Sequence, residues 1–182
     1  MIRNIKILLI SILSISNFSC LSENRSTEDA ITNKNRPNIL ILLTDDQSFN
    51  TINALGNKEI STPNIDKLVS NGFTFTHAYI MGSFSGAVCM PSRAMLMTGQ
   101  YLQKLDKVQG AIGENIKTMP QLLKESGYTT FFTGKWHNRK ASFFKSFTNG
   151  ENIFMGGMSN HLKVPLYNFD PSGIYPEKNK FF

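Results

Sequence analysis

The sequence lacks a long apolar run, an internal repeat and a cluster of basic residues interleaved with aromatic ones. Its first apolar run, at 7–15, is shorter than the roughly 20 residues that a membrane-spanning helix needs. The 19 lysines and arginines are scattered, so a nucleic-acid partner is not expected. With 13 glycines, 7 prolines, 41% hydrophobic and 18% charged residues, the composition excludes collagen-like, coiled-coil and fully disordered chains.

The remaining composition is that of an ordinary globular protein of 182 residues. This length fits one domain of usual size with a sizeable core. The formal net charge of +6 suits an anionic substrate only weakly, because most of the basic side chains are expected on the solvated surface.

Residues 1–20 have the features of a secretory signal peptide. Arg3 and Lys6 precede the apolar run, and a small residue stands directly before Cys20. Cys20 resembles the lipid-modified cysteine of bacterial lipoproteins; the alternative is cleavage nearby with Cys20 as a spectator. Residues 21–36 are polar and aperiodic, which predicts a flexible tether. We therefore expect an exported bacterial protein, periplasmic or anchored to the outer membrane through lipid at Cys20, with its folded domain at 37–182.

The patterning of residues 37–182 predicts an α/β fold. We expect strands at 38–44, 73–79 and 128–133, with the last one ending at Gly134. Helices are expected after Thr62, from about Pro91 to Gly99, and over 118–126 with Thr118 as the cap. Stretches near 149–160 and 168–176 are rich in glycine, asparagine and proline, and are predicted to be loops.

Two adjacent carboxylates, Asp45 and Asp46, follow the first predicted strand in the segment TDDQ. Such a pair repels itself unless a hard divalent cation, Ca²⁺ or Mg²⁺, lies between the side chains. The alternative is that the pair forms a turn or a helix cap.

Cys89 stands two residues before Pro91 and four before Arg93. A helix that opens here would direct backbone N–H groups and the positive end of its dipole toward the thiol. Arg93, about one turn along, would add a fixed charge and a forked donor. If Cys20 carries lipid, Cys89 has no disulfide partner, so its presence needs an explanation. The alternatives are a reactive centre and a structural cysteine beside a surface arginine.

Lys135 and His137 follow the last predicted strand in the segment GKWH. Two residues apart in an extended segment, they would face the same way and bring together a point charge and a titratable imidazole. A Lys-x-His pair alone has little specificity.

These clusters occur together with other short segments in a fixed order. The segments are RPNIL at 36–40, TDDQ at 44–47, TPNID at 62–66, CMPSR at 89–93 with TG at 98–99, and GY at 127–128 through GKWH at 134–137. In order and spacing they resemble the formylglycine-dependent sulfatases of the alkaline-phosphatase superfamily. The resemblance implies an alkaline-phosphatase-like sandwich with a largely parallel central sheet, incomplete in this chain.

The resemblance also implies a role for each matching residue. Cys89 would be oxidised by a separate maturating enzyme to formylglycine, whose hydrate is the nucleophile. Asp45 and Asp46 would bind one divalent cation, calcium or alternatively magnesium, that also contacts residue 89.

Three basic side chains would complete this side of the site. Arg93 would hold the modified residue, and Lys135 would bridge that residue and the sulfate. His137 would assist breakdown of the covalent intermediate. The substrate would be a sulfated small molecule or glycan; sulfated polysaccharide, a glycosaminoglycan fragment and choline sulfate remain open.

The chain departs from the family in its second half. Members complete the metal site with a downstream acidic and amide pair, and Asp170 lies in a turn-like stretch that does not suit this role. His161 is expected to be a surface or core histidine rather than a substrate contact. We therefore expect the N-terminal part of a sulfatase that is inactive alone. The alternatives are a phosphonate or phosphate ester hydrolase of the same superfamily and a non-catalytic surface lipoprotein that binds anions or glycans.

Overall fold

The structure is a computed structural model that describes residues 36–107 and 109–175. The chain divides into two compact units, 1–43 and 44–182. The predicted signal peptide, Cys20 and all of the predicted tether but Arg36 lie outside the described residues. Residues 36–43 form neither helix nor strand, and Leu40 and Leu42 are largely exposed. The prediction of a strand at 38–44 is wrong, because hydropathy gives a preference but a strand requires hydrogen-bonded ladder partners.

The second unit begins with two short 3₁₀ turns, Phe49–Thr51 and Asn53–Leu55, and helix α1, Pro63–Asn71. The predicted start after Thr62 and stop at Gly72 are confirmed. The Thr62 hydroxyl does not cap the helix; it donates to Asp66 and accepts from the backbone N–H of Asn53. The side chain therefore fastens the helix to the preceding turn.

The segment 73–79 is not a strand, contrary to the prediction. Its alternating aromatic side chains are exposed, with Phe73 and Phe75 packed edge to face on each other. Alternation predicts a strand only where one face is buried, and here neither face is.

Helix α2, Cys89–Thr98, ends at Gly99 as predicted, with Gly99 in the left-handed conformation that closes the last turn. The helix begins at Cys89 itself rather than near Pro91, so the cysteine lies in the first turn instead of ahead of it. Pro91 is fully buried, and Gly110 packs so closely on its ring that a Cβ at 110 would overlap it. A further 3₁₀ turn, Leu102–Lys104, follows.

Helix α3, Met119–Glu125, and strand β1, Phe131–Lys135, complete the predicted elements. The Thr118 hydroxyl accepts from the Gln121 N–H at 3.2 Å, which confirms the predicted cap. The strand begins three residues later and ends two residues later than predicted, and it includes Gly134.

Helix α4, Lys140–Ser146, and strand β2, Asn149–Phe154, were not predicted. The strand falls where the sequence indicated a loop. It pairs with β1 in parallel, from Phe131 opposite Asn149 to Lys135 opposite Phe154. Asn152 has a positive φ of 50° and forms a bulge in this ladder, which explains how a loop-like composition enters a strand.

The core of the second unit is aromatic. Phe143 is fully buried, and its ring contacts those of Phe132, Trp136 and Phe147 at centroid distances of 4.9–5.5 Å. Because Trp136 directly follows β1, this cluster fixes the residues at the carboxyl end of that strand. The predicted α/β class with parallel strands is confirmed; in the described residues the sheet has two strands. None of the helices in 36–107 and 109–175 has the length and apolarity to cross a membrane.

Candidate functional site

Asp45 is the centre of an ion-pair network that joins three distant parts of the sequence. Lys135 Nζ donates to Asp45 Oδ2 at 2.6 Å, and Arg93 Nη2 donates to Asp45 Oδ1 at 3.3 Å. The Lys135 and Arg93 side chains are largely buried, at 16% and 10% exposure, whereas Asp45 is 41% exposed. The hydrogen bond from Lys135 is the main cause that holds the pKa of Asp45 below its usual value, against an opposing effect of burial.

Arg93 also connects helix α2 to strand β1 through the backbone. Its Nη1 donates to the carbonyl oxygen of Lys135 at 2.6 Å. One guanidinium therefore fixes both the end of β1 and the Asp45 carboxylate, a use of its forked geometry that a lysine could not reproduce. The sequence indicated a charge near Cys89 but gave no sign of this backbone contact.

Asp46 and Cys89 lie beside this network. One carboxylate oxygen from Asp45, one from Asp46 and the Cys89 sulfur lie within 4.8 Å of one another. Asp46 is exposed and Cys89 is half-buried. The sequence-predicted group of Asp45, Asp46 and Cys89 thus comes together in space, in an arrangement that could hold one cation.

His137 follows β1 with a positive φ of 50°. The prediction that it faces the same way as Lys135 assumed an extended segment, and that assumption is wrong at this residue. The two side chains are nevertheless near enough to interact. Burial is the main cause that lowers the pKa of His137 below 6.5, and the charges of Lys135 and Arg93 lower it further while Asp45 opposes them. The His137 Nδ1 atom is buried and has no hydrogen-bond partner among the described residues.

Asn138 is a site neighbour that sequence reasoning missed. It is buried, its side-chain oxygen accepts from the Ile112 N–H at 3.0 Å, and its nitrogen donates to the Met90 carbonyl at 3.5 Å. The residue after His137 is thereby tied to the first turn of α2, next to Cys89. No sequence signal distinguished this asparagine from a loop residue.

Two of the three non-glycine residues with positive φ in the described ranges, Asp46 and His137, lie at this site. Such conformations are sparsely populated and persist where the surroundings hold them. His161 is exposed, as expected. Asp170 lies in a turn closed by the Gly173 N–H, which agrees with the interpretation of that stretch.

The described site brings together a cysteine in a helix's first turn, two carboxylates, a buried arginine, a lysine and a histidine. Comparison with known proteins shows the family of the chain. A family model described as Sulfatase matches residues 37–170. The uncharacterized sulfatase YidJ of Escherichia coli is 38% identical over 104 residues, which are 56% of this chain and 20% of that protein.

Two further relatives have substrates in their names. The N-acetylglucosamine-6-O-sulfatase of Bacteroides thetaiotaomicron is 32% identical over 133 residues, 71% of this chain and 22% of the relative. The human N-acetylgalactosamine-6-sulfatase is 29% identical over 167 residues, 78% of this chain and 31% of the relative. The chain thus spans between a fifth and a third of the length of these relatives, and the family match covers most of the chain: it belongs to the sulfatase family.

Proposed function

We propose that this chain supplies the nucleophile side of an active site that hydrolyses sulfate monoesters, with Cys89 converted to formylglycine. The observation that carries the proposal is the convergence of Asp45, Arg93 and Lys135 beside the donor atoms of Asp46 and Cys89. Two cationic side chains and a possible cation site at one place suit a substrate whose sulfate ester group carries negative charge on its oxygens.

A divalent cation, Ca²⁺ or alternatively Mg²⁺, fits the donors at the site. Two carboxylates offer the hard oxygen ligands that these ions prefer, whereas the Cys89 sulfur is a poor ligand for them. An oxygen at position 89, as in a hydrated aldehyde, completes the set better than the thiol. The bound cation would neutralise negative charge on the sulfuryl oxygens.

Lys135 and Arg93 would act without rearrangement, because both are already fixed. Arg93 is held by the Lys135 carbonyl and by Asp45, so its guanidinium would keep residue 89 and the end of β1 in register. Lys135 donates one hydrogen bond to Asp45, and its remaining ammonium protons would be free to bind a sulfate oxygen. Preorganised charge of this kind stabilises the transition state of attack on sulfur.

His137 is suited to the proton transfer that ends the cycle. Burial and the adjacent cations favour its neutral form, which accepts a proton. One hydroxyl of the formylglycine hydrate would attack sulfur, with loss of its proton, as the S–O bond to the substrate's alcohol breaks and the alcohol leaves protonated. Deprotonation of the second hydroxyl would then re-form the aldehyde C=O bond and expel sulfate. His137 would take that second proton.

The substrates tested first are sulfated amino sugars. Two relatives are named for N-acetylglucosamine and N-acetylgalactosamine 6-sulfates, and a sulfated glycan is the class that we propose for this protein. A phosphate or phosphonate ester is the competing class, and paired aryl sulfate and aryl phosphate substrates separate the two.

The first experiment tests conversion of Cys89. The chain is coexpressed with a sulfatase-maturating enzyme, and the tryptic peptide 68–93 is analysed by mass spectrometry; an aldehyde in place of the thiol is expected. Cys20, which lacks a proline and an arginine at the same offsets, is the internal control and keeps its sulfur. A peptide that retains unmodified Cys89 in the presence of an active maturating enzyme contradicts the proposal.

The second experiment measures hydrolysis by the converted protein. The chain alone should show little or no turnover. Joined to the downstream part of a sulfatase, it should hydrolyse aryl sulfate, and Cys89→Ala and Lys135→Ala should each abolish that activity with no gain of aryl phosphate turnover. Substrate binding without turnover by the joined, converted protein would favour the non-catalytic alternative.

Export and lipid attachment belong to the same proposal. We infer from residues 1–20 that the protein leaves the cytoplasm and carries lipid at Cys20. Incorporation of labelled palmitate that Cys20→Ala abolishes is the expected result.

A further inference from the structure

The imidazole of His137 lies directly against the backbone of Gly157. A Cβ built on Gly157 would overlap two atoms of the ring, Nε2 and Cε1, and would lie 3.1 Å from a third, Cδ2. Hydrogen is therefore the one side chain at position 157 that leaves room for the ring where it now lies.

The parallel pairing of β1 with β2 creates this contact. Lys135 is opposite Phe154, and the Trp136 N–H donates to the Phe154 carbonyl at 2.8 Å. The segments that follow β1 and β2 therefore leave the sheet side by side. His137 and Gly157, which lie just beyond the two strands, come into contact.

Gly157 is required for space and not for backbone conformation. Its φ lies outside the left-handed region, so an alanine could adopt the same backbone without strain. The collision with the ring is the remaining consequence of adding a methyl group. His137, by contrast, has a φ of 50° and a buried, unpartnered Nδ1 within the described part of the chain, so the ring has no hydrogen bond there to hold it.

We propose that Gly157 is a positioning residue for His137: its bare backbone forms the surface on which the imidazole rests beside Lys135 and Arg93. The role of the ring rests on the function proposed above. The contact itself does not, and the experiment below measures it without any turnover.

The test is the rate of histidine carbethoxylation by diethyl pyrocarbonate, read for each peptide by mass spectrometry on the full chain. His77 and His161 are exposed and serve as internal references, since the sequence has three histidines. In the wild type, half-buried His137 should react more slowly than either. In Gly157→Ala the displaced ring should react several-fold faster, while the two references stay unchanged.

Gly86→Ala is the matched control, because a Cβ at Gly86 meets no atom within 4 Å and its φ is ordinary. It should leave all three rates as they are. An unchanged His137 rate in folded Gly157→Ala would overturn the proposal.

The double variant His137→Ala, Gly157→Ala separates a collision from a general loss of stability. Without the imidazole ring, the methyl group added at position 157 meets no overlapping atom. This double variant should therefore melt at the same temperature as His137→Ala alone. A double variant that melts lower by the amount that Gly157→Ala lowers the wild type, or that does not fold, overturns the proposal even where Gly157→Ala itself is insoluble. Full turnover by the chain joined to the downstream part of a sulfatase and carrying His137→Ala would contradict the proposed function of the ring and leave the contact standing.

Discussion

At the scale of single residues, Asp45 and Asp46 are adjacent in sequence but differ in their surroundings. Asp45 accepts hydrogen bonds from Lys135 and Arg93, both largely buried, whereas Asp46 is exposed and contributes to the group that could hold a cation. The first carboxylate is therefore part of the folded framework as well as of the site, and the second belongs to the site.

Asparagine substitutions separate these contributions. Asp45→Asn leaves two largely buried cations without their counter-charge and should lower the free energy of unfolding by about 1 kcal/mol, since the partly exposed carboxylate is screened by solvent. Asp46→Asn is the matched control, because asparagine tolerates the left-handed φ of 55° at that residue, and it should change stability by less than about 0.5 kcal/mol. Urea unfolding measures both.

The same pair of variants tests the cation. Calorimetry should detect Ca²⁺ binding by the wild type, and both variants should lose it, because each removes one of two hard oxygen donors. The two variants should lose Ca²⁺ binding equally, but Asp45→Asn should lose more stability than Asp46→Asn. An equal loss of stability in both variants would contradict the framework role of Asp45.

His137 gives the site a defined pH dependence. Burial, with Lys135 and Arg93, lowers the folded-state pKa below the ordinary 6.5, so between these two values the unfolded chain binds more protons than the folded one. The neutral His137 ring is accommodated fully above pH 6.5. As the pH falls through 6.5 toward the lowered pKa, protonation favours the unfolded chain and the free energy of unfolding decreases.

Chemical denaturation at a series of pH values checks this sign. The wild type should lose stability as the pH falls below 6.5, and His137→Asn should lose less over the same interval, since it carries no titrating ring. Parallel curves for the two proteins would show that the imidazole is not desolvated in the folded state.

At the scale of elements, the site is assembled where β1 ends and α2 begins. Asn138, three residues after β1, donates to the Met90 carbonyl in the first turn of α2 and accepts from the Ile112 N–H. Because Met90 is next to Cys89, this amide acts together with the contact of Arg93 with the Lys135 carbonyl to hold the cysteine near the segment that carries Lys135 and His137.

Asn138→Ala leaves the buried Ile112 N–H without its acceptor and should lower the free energy of unfolding by about 1–3 kcal/mol. Asn168 accepts from the Asn152 N–H in the same way but is exposed, so Asn168→Ala should cost less than about 0.5 kcal/mol. Thermal or urea unfolding of the two variants measures the difference. Equal costs would mean that Asn138 is solvated in solution.

At the scale of the whole second unit, the aromatic cluster packs against the segment that carries Lys135 and His137. The Phe143 ring packs against Trp136, and Trp136 lies between Lys135 and His137 in sequence. Loosening the cluster should therefore disturb the site as well as the core.

Phe143→Ala should destabilise the protein by about 3–5 kcal/mol, because the residue is fully buried and its neighbours cannot fill the space. Phe144→Ala is the matched control on the same helix; this ring is half-buried and should cost about 1 kcal/mol. Tryptophan fluorescence, which reports the single Trp136, should shift to the red in Phe143→Ala alone. A fluorescence maximum that stays in place would contradict the role of this ring in holding Trp136.

The sequence by itself determined the helices that carry their own local signals. These signals are Pro63 and Gly72 at the two ends of α1, Thr118 at the cap of α3 and Gly99 at the end of α2. They act through backbone conformation and hydrogen bonds between near neighbours, so these helix ends could be predicted without knowledge of the fold. The family was determined in the same way, because the order of its short segments is a property of the chain alone.

Strands and contacts were decided by the tertiary structure. Apolar residues at 38–44 and alternating ones at 73–79 indicated strands that have no ladder partner in the described ranges, while the loop-like residues of β2 form a strand because β1 is beside them. The contact of Arg93 with the Lys135 carbonyl and that of Gly157 with the His137 ring likewise join residues far apart in sequence. Composition predicts which residue types a site needs, but only packing sets their distances.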